Sequence, residues 1–164
     1  MSVTTPQELF VTLLSDLRHG AERSVKIYEE LGQAAQHPEI KEALDAREFI
    51  SKQVLSRLDE CFRLIGQKPV KTDGRLHDVF IEDFRRELNE IKSPLAKRIF
   101  VLARANRLIH MRIGEYGALI AASDMLDRPA IGVLLESCLA DKLAFVERTR
   151  RLIRKHLQEE MAHA

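Results

Sequence analysis

The sequence has no tryptophan, and it is poor in residues that interrupt regular structure, with seven glycines and five prolines among 164 residues. Aromatic residues make up only 5% of the chain. Aromatic residues are enriched in β-strands, and glycine and proline in disordered chains, so this composition disfavours both classes. The sequence also lacks an uncharged apolar run of about 18 residues, so no segment is predicted to span a membrane.

Cysteine is scarce too, and the two that occur, Cys61 and Cys138, have no CxxC neighbour. Each lies on a helical stripe of apolar residues, which favours a buried free thiol in a reducing compartment, and we expect a cytoplasmic protein. Ser/His/Asp, Cys/His and Gly-x-Gly-x-x-Gly arrangements are also missing. The sequence therefore identifies no catalytic residue, no cofactor-binding residue and no small-molecule substrate.

An excess of charge of one sign is absent as well, because 26 basic residues face 25 acidic ones and the formal net charge is +1. Such a chain has no overall field that would recruit nucleic acid or an anionic membrane, so neither partner is expected. The strongest local charge feature is the basic run 148–156. We interpret this run as a solvated helix face, since no aromatic residues interleave to stack bases. Contact with nucleic acid or an acidic partner is the alternative.

What the chain does contain is apolar residues repeated at helix spacing along four stretches of about 30 residues, with a shorter amphipathic stretch at 75–92. The long stretches are residues 6–36, 38–66, 94–126 and 129–160. Short breaks at prolines separate the first from the second and the third from the fourth, which predicts two antiparallel helical hairpins. Residues 67–93 are long enough to return along the whole bundle.

This pattern predicts an all-α fold, a ferritin-like up-down-down-up four-helix bundle with an extra short helix in the long crossover. We expect residues 1–164 to form a single domain of this kind. In bundles of this shape that bind two metal ions, the middle layer holds a Glu from each of two helices and a Glu-x-x-His from each of the other two.

Counting residues from the end of each helix places six residues in one middle layer, namely Glu22, Ile50, Val54, Ile109, Arg112 and Asp141. This layer is expected to be mostly hydrocarbon. The only Glu-x-x-His in the chain is Glu160…His163, near the C-terminal end. Asp16 and His19 have the same spacing, but no second such pair faces them. Iron or manganese needs oxygen and imidazole ligands, so a two-ion centre is not expected.

Several short segments, in the same order and at matching distances, resemble the YciE/YciF-type bacterial stress-response family of ferritin-like proteins. The likeness covers about residues 4–158. The most specific elements are the Ala-Glu-Arg and His-x-x-Ile-x-x-Tyr-Gly patterns. The segments that carry it are Leu13-Leu-Ser-Asp16, Ala21-Glu-Arg23, Pro38-Glu-Ile-Lys41, Arg57-Leu-Asp-Glu-Cys-Phe62, Ile109-His-Met-Arg-Ile-Gly-Glu-Tyr-Gly117 and Leu134-Leu-Glu136.

The resemblance implies a helical bundle, usually dimeric, whose members often carry acidic and His or Gln positions able to hold two metal ions. Carried over position by position, the helix-one Glu is present as Glu22. Most of the other ligand positions differ in this chain. The helix-two Glu and the following His or Gln are Ile50 and Val54, the helix-three Glu-His-Tyr-Glu is Ile109-His-Met-Arg112, and the helix-four acids are Asp141-Lys142 and Val146.

Three side chains are therefore weak remnant candidates for metal ligands, namely Glu22, His110 and Asp141. They could hold one ion, or each carboxylate could pair with a nearby base or face solvent. A third interpretation is a buried ion pair formed by Glu22, Arg112 and Asp141. In that case Arg112, with Arg47 or Lys142, occupies the space of the metal and neutralises the buried carboxylates.

The sequence favours a non-catalytic ferritin-like bundle with a degenerate metal site and no cofactor, serving as a structural or stress-associated protein. The alternative is a di-iron or di-manganese carboxylate protein that performs oxygen or peroxide chemistry. We also expect a homodimer, because Leu9, Phe49 and Val101 are apolar residues predicted to remain exposed on the long helices.

Overall fold

The computed structural model describes residues 3–163, and within them all regular structure is helical. The five helices are α1 (Pro6–Ala35), α2 (Pro38–Ile65), α3 (Arg75–Glu90), α4 (Pro94–Met125) and α5 (Pro129–His163). Each begins within a residue of its predicted start, and α5 extends slightly beyond its predicted end. None of the helices in these residues has the length and apolarity needed to cross a membrane.

Proline and local capping explain where the long helices begin. Each of the four starts at a proline, whose fixed φ suits the first turn and whose missing N–H has no helical partner there. At α1, the Thr5 hydroxyl accepts a hydrogen bond from the Glu8 backbone N–H, and the Glu8 carboxylate accepts one from the Thr5 N–H. At α4, the Ser93 hydroxyl accepts from the Ala96 N–H at 3.3 Å.

The helices pack as the two predicted hairpins, α1 against α2 and α4 against α5. The hairpins meet through α1 with α4 and through α2 with α5, so each long helix has two antiparallel neighbours and lies diagonally opposite a parallel one. The crossover helix α3 lies on the outside, against α1 and α4. This arrangement confirms the all-α up-down-down-up bundle.

The interior divides into two apolar clusters stacked along the bundle axis. One contains Leu31, Ile40 and Leu102, near the α1–α2 connection. The other contains Leu58 and Leu135, towards the opposite end. The layer between them, which we call the waist, is where metal-binding bundles of this shape hold their ions.

Two expectations about side-chain exposure are settled by this packing. Val101 is fully buried in the first cluster, so its predicted exposure is wrong; α4 is covered by α1, α3 and α5, which leaves few of its apolar residues at the surface. Leu9 and Phe49 are exposed as expected, Phe49 to 63%.

Cys61 and Cys138 are free and buried, and burial raises the pKa of the Cys61 thiol to about 12.

Two glycines provide a matched test of the backbone contribution to stability. Gly66 ends α2 with φ +66° and has open space where a Cβ would lie, so Gly66→Ala should lower the free energy of unfolding by about 1–2 kcal/mol through backbone strain alone. Gly114, inside α4, also has open space where a Cβ would lie, and Gly114→Ala should raise the free energy of unfolding by about 0.5–1 kcal/mol. Urea denaturation measures both, and an unchanged stability of Gly66→Ala would contradict the assignment of this helix end.

Candidate functional site

The waist contains a small cavity of about 20 Å³ that is lined by three basic side chains. They are Arg47 from α2, Arg112 from α4 and Lys142 from α5, which are 2%, 5% and 5% exposed. The predicted hydrocarbon residues Val54 and Ile109 also line the cavity, and so do four hydroxyl groups. The hydroxyl groups belong to Ser24, Tyr28, Ser51 and Tyr116.

The expectation of a mostly hydrocarbon waist is therefore wrong. Arg47, Arg112 and Lys142, the three basic residues named in the third interpretation, all line the cavity. Long basic side chains can bury their methylene stems in an apolar layer, so apolar periodicity alone did not reveal where the charged ends would lie.

Arg112 is compensated by side chains from three helices. Its Nη1 donates to the Asp16 carboxylate on α1 at 3.1 Å and to the Glu115 carboxylate at 2.7 Å. Its Nη2 lies 2.9 Å from Nε2 and 3.2 Å from Nδ1 of His77 on α3. Gly20 makes this position accessible, because a Cβ there would lie 2.0 Å from Nη2.

His77 closes the outer side of this arrangement and was not identified from the sequence. It is buried, and burial, followed by the charges of Arg112 and Arg23, lowers its pKa to about 4. A neutral imidazole has one ring nitrogen that can accept a hydrogen bond from a guanidinium. Arg23 also donates to the Gly74 carbonyl at 3.0 Å, which ties the start of α3 to α1.

Arg47 and Lys142, by contrast, have no paired carboxylate in the described part of the chain. The Arg47 Cζ lies 5.7 Å from the ring centroids of both Tyr28 and Phe145, and the Lys142 Nζ lies 4.5 Å from that of Tyr116. A desolvated cation–π contact contributes up to about 2 kcal/mol. Burying an ion costs several kcal/mol, so these contacts offset only part of the cost.

The titratable groups of the waist cannot supply the missing negative charge near neutral pH. Burial raises the pKa of Tyr28 to about 12, although Arg47 opposes this effect, and burial also raises the pKa of Tyr116. Burial, followed by the charge of Arg47, lowers the pKa of Lys142 to about 7. The waist is therefore electropositive and has neutral phenols.

The remnant metal-ligand candidates do not converge on this cavity. The Glu22 side chain is 59% exposed and lies 3.7 Å from Arg18. The His110 ring is exposed, with Nδ1 2.9 Å from the Asn106 carbonyl oxygen. Asp141 accepts a hydrogen bond from Arg57.

The predicted Glu22–Arg112–Asp141 ion pair is consequently replaced by Arg112 with Asp16 and Glu115. Helix geometry explains the difference. Glu22 follows the cavity-lining Ala21 and lies about 100° from it around the α1 axis, and Asp141 lies about 100° from Lys142. Counting residues along a helix gives height but not this rotation.

The waist does not fit a di-metal centre, because its charged groups are cations and a guanidinium has no lone pair to donate to a metal. One group with suitable ligands comes together within residues 3–162, at the α1–α2 end of the bundle. It consists of His37, Glu39 and His156, whose ligand atoms lie within 4.8 Å of one another.

This end group has an unusual feature and a competing contact. His156 is buried, and neither of its ring nitrogens has a hydrogen-bond partner. The Glu39 carboxylate is bonded to Lys155, with both oxygens 2.9 Å from Nζ. Sequence reasoning missed the group, although both histidines lie at the same end of the predicted antiparallel arrangement.

Comparison with known sequences places the protein in a family. Residues 5–162 match the profile of a domain of unknown function, DUF892. The chain belongs to the DUF892 family. No curated protein matches the sequence.

Solved structures of similar shape extend over nearly the whole chain. The E. coli stress protein YciF has a TM-score of 0.89 at 18% identity, with 95% of this chain and 99% of that one covered. YcfI from Rhodopseudomonas palustris has a TM-score of 0.86 at 22% identity, covering 91% and 95%. A Xanthomonas campestris protein has a TM-score of 0.71 at 14% identity, covering 95% and 98%. The resemblance to the YciF-type family is confirmed.

Gly20→Ala tests whether Arg112 needs the space beside α1. The new Cβ would displace the guanidinium from Asp16 and His77, so we expect the free energy of unfolding to fall by about 1–3 kcal/mol. Gly32→Ala is the matched control on the same helix, because its Cβ would meet neighbours at an ordinary 3.6 Å. Urea denaturation compares the two, and equal stabilities would contradict the role of Gly20.

The pKa of His77 predicts how stability depends on pH. Since the folded pKa of about 4 lies below the reference value of 6.5, the unfolded chain binds more protons between these values. The contribution of His77 to the free energy of unfolding is complete above pH 6.5 and is lost as the pH falls towards 4. This loss lowers the free energy of unfolding by about 2–3 kcal/mol. The pKa of His156 is also lowered by burial, so its contribution is lost in the same direction.

Thermal melts of the wild type and His77→Asn between pH 4 and 7 measure this contribution. The Asn amide oxygen can still accept a hydrogen bond from Arg112, but the amide does not titrate. The dependence of Tm on pH should therefore become weaker in His77→Asn without disappearing. His110→Gln, which changes an exposed histidine, should keep the wild-type slope. A slope unaffected by His77→Asn would refute the assignment.

Proposed function

We propose that the protein is a non-catalytic ferritin-like bundle with a degenerate metal site, acting as a structural or stress-associated protein. The observation that carries this proposal is the set of three basic side chains, Arg47, Arg112 and Lys142, at the waist. They repel divalent cations from the position where di-metal bundles bind their ions. The buried free thiols Cys61 and Cys138 suit a reducing compartment, so we place the protein in the cytoplasm.

The size and polarity of the waist cavity also support a non-catalytic role. A volume of about 20 Å³ accommodates about one water molecule and is far too small for an organic substrate. The hydroxyl groups of Tyr28 and Tyr116 remain neutral because burial raises the pKa of both. Neither phenol is therefore suited to act as a base near neutral pH.

We further propose that the protein forms homodimers and does not bind nucleic acid. Leu9 and Phe49 are large apolar residues that are exposed on the hairpin α1–α2. The basic run is largely occupied by ion pairs with acidic neighbours, which reduces its positive potential. These pairs are Arg148 with Glu42, Arg150 and Arg151 with Glu147, and Lys155 with Glu39.

A second candidate function is the binding of one transition-metal ion by His37, Glu39 and His156 at the end of the bundle. The buried His156, with both ring nitrogens unpartnered, favours this candidate because a metal ion would satisfy one of them. Two imidazoles and a carboxylate suit zinc or another first-row metal ion. Binding would require Glu39 to leave Lys155.

Metal analysis of untagged protein separates these functions. After growth with iron and manganese, followed by desalting, we expect well below one iron or manganese ion per chain. Retention of two ions per chain would overturn the non-catalytic proposal and support the di-iron or di-manganese alternative.

Titration of the same protein with zinc tests the second candidate. One tightly bound zinc ion that is lost in His156→Ala and retained in His110→Ala would support the end site, because His110 is exposed and remote from the group. Zinc binding that is equal in both variants would exclude it.

A further inference from the structure

The waist contains positive charge that the described protein groups do not balance. Arg112 has two carboxylates, whereas Arg47 and Lys142 have aromatic faces only. The Arg47 Nε and Nη1 atoms and the Arg112 Nε atom are buried and have no hydrogen-bond partner. Arg47 and Arg112 both line the cavity, so these unsatisfied donors belong to side chains that border a small space among like charges.

Donors of this kind require an acceptor, and buried cations require negative charge. Apart from the two carboxylates bonded to Arg112, Asp141 is next to the cavity-lining Lys142 in the sequence, and its carboxylate accepts a hydrogen bond from Arg57. The thiol of Cys138 is not a substitute, because burial raises its pKa. Near neutral pH Lys142, whose pKa burial lowers to about 7, carries only part of its charge, whereas Arg47 stays fully charged. An anion from solution would balance Arg47 and favour the charged form of Lys142.

The cavity limits the size of that group. Its volume of about 20 Å³ holds about one water-sized particle, which excludes sulfate, phosphate and organic carboxylates. A water molecule would fit and would accept two hydrogen bonds, but it carries no charge to balance Arg47 and Lys142. A monoatomic anion satisfies both requirements.

We propose that the waist is an anion site that binds one chloride ion between Arg47 and Lys142. This inference rests on the proposed function, since it requires a waist without metal ions. The position that holds cations in di-metal bundles would then hold an anion, through reversal of the charge of its lining. Arg112, already bonded to Asp16 and Glu115, would contribute only its free Nε–H.

Thermal unfolding in chloride and in gluconate at equal sodium concentration and ionic strength tests the proposal. Gluconate is too large for the cavity, so only chloride should produce a saturable rise in Tm, of a few degrees. Arg47→Met and Lys142→Met should each remove the chloride dependence, because each removes one cation and keeps an unbranched apolar side chain in the layer. Arg107→Met, which changes an exposed cation on α4, should retain it.

Crystals of the wild type soaked in sodium bromide give a readout that does not depend on whether the variants fold. An anomalous peak in the cavity, in contact with Arg47 and Lys142, is expected. The absence of this peak, or equal Tm values in chloride and gluconate, would overturn the anion site and leave the proposed function intact. A transition metal bound at the waist would instead overturn both.

Discussion

Burial of positive charge between two apolar clusters is the constraint on which the rest of the structure depends. A charged side chain in such a layer costs several kcal/mol unless hydrogen bonds and opposite charge compensate it. Arg112 meets this requirement through Asp16, Glu115 and His77, and the small size of Gly20 allows the guanidinium to lie against α1. The position of α3 on the bundle follows partly from this requirement, since His77 belongs to that helix.

The limits of the helices could be predicted from the sequence because local chemistry determines them. Proline at the first turn, hydroxyl caps at Thr5 and Ser93, and glycine at the end of α2 each act within a few residues. The topology was also predictable, since short connections force neighbouring helices to be antiparallel and the 67–93 crossover is the only long one. The predicted exposure of Val101 was wrong because the side chain lies in the first apolar cluster, and the rotation of α4 that turns it inward depends on packing between helices.

The waist was predictable only in part. Counting along the helices placed Arg112 at the height of the cavity. Arg112 pairs with Asp16 and Glu115, and not with Glu22 and Asp141, because of the rotation of each helix about its axis. Apolar periodicity predicts this rotation only approximately, since the apolar face of a helix is broad. His77 lies at the start of the crossover helix and His37 just before α2, and the height of such positions cannot be counted along a long helix. His156 lies near the end of α5, so its approach to His37 follows only once that end is placed beside the α1–α2 connection.

The charged layer between the two apolar clusters restricts how the helices can slide along one another. Apolar stripes repeat with every turn, so two helices would pack nearly as well after one of them had shifted along its axis by one turn, about 5.4 Å. The same shift of α2 would carry Arg47 away from Tyr28 and Phe145 and into the hydrocarbon around Leu31 and Leu102. A buried polar side chain thus selects one vertical alignment of the bundle, much as a single polar residue selects the register of a coiled coil.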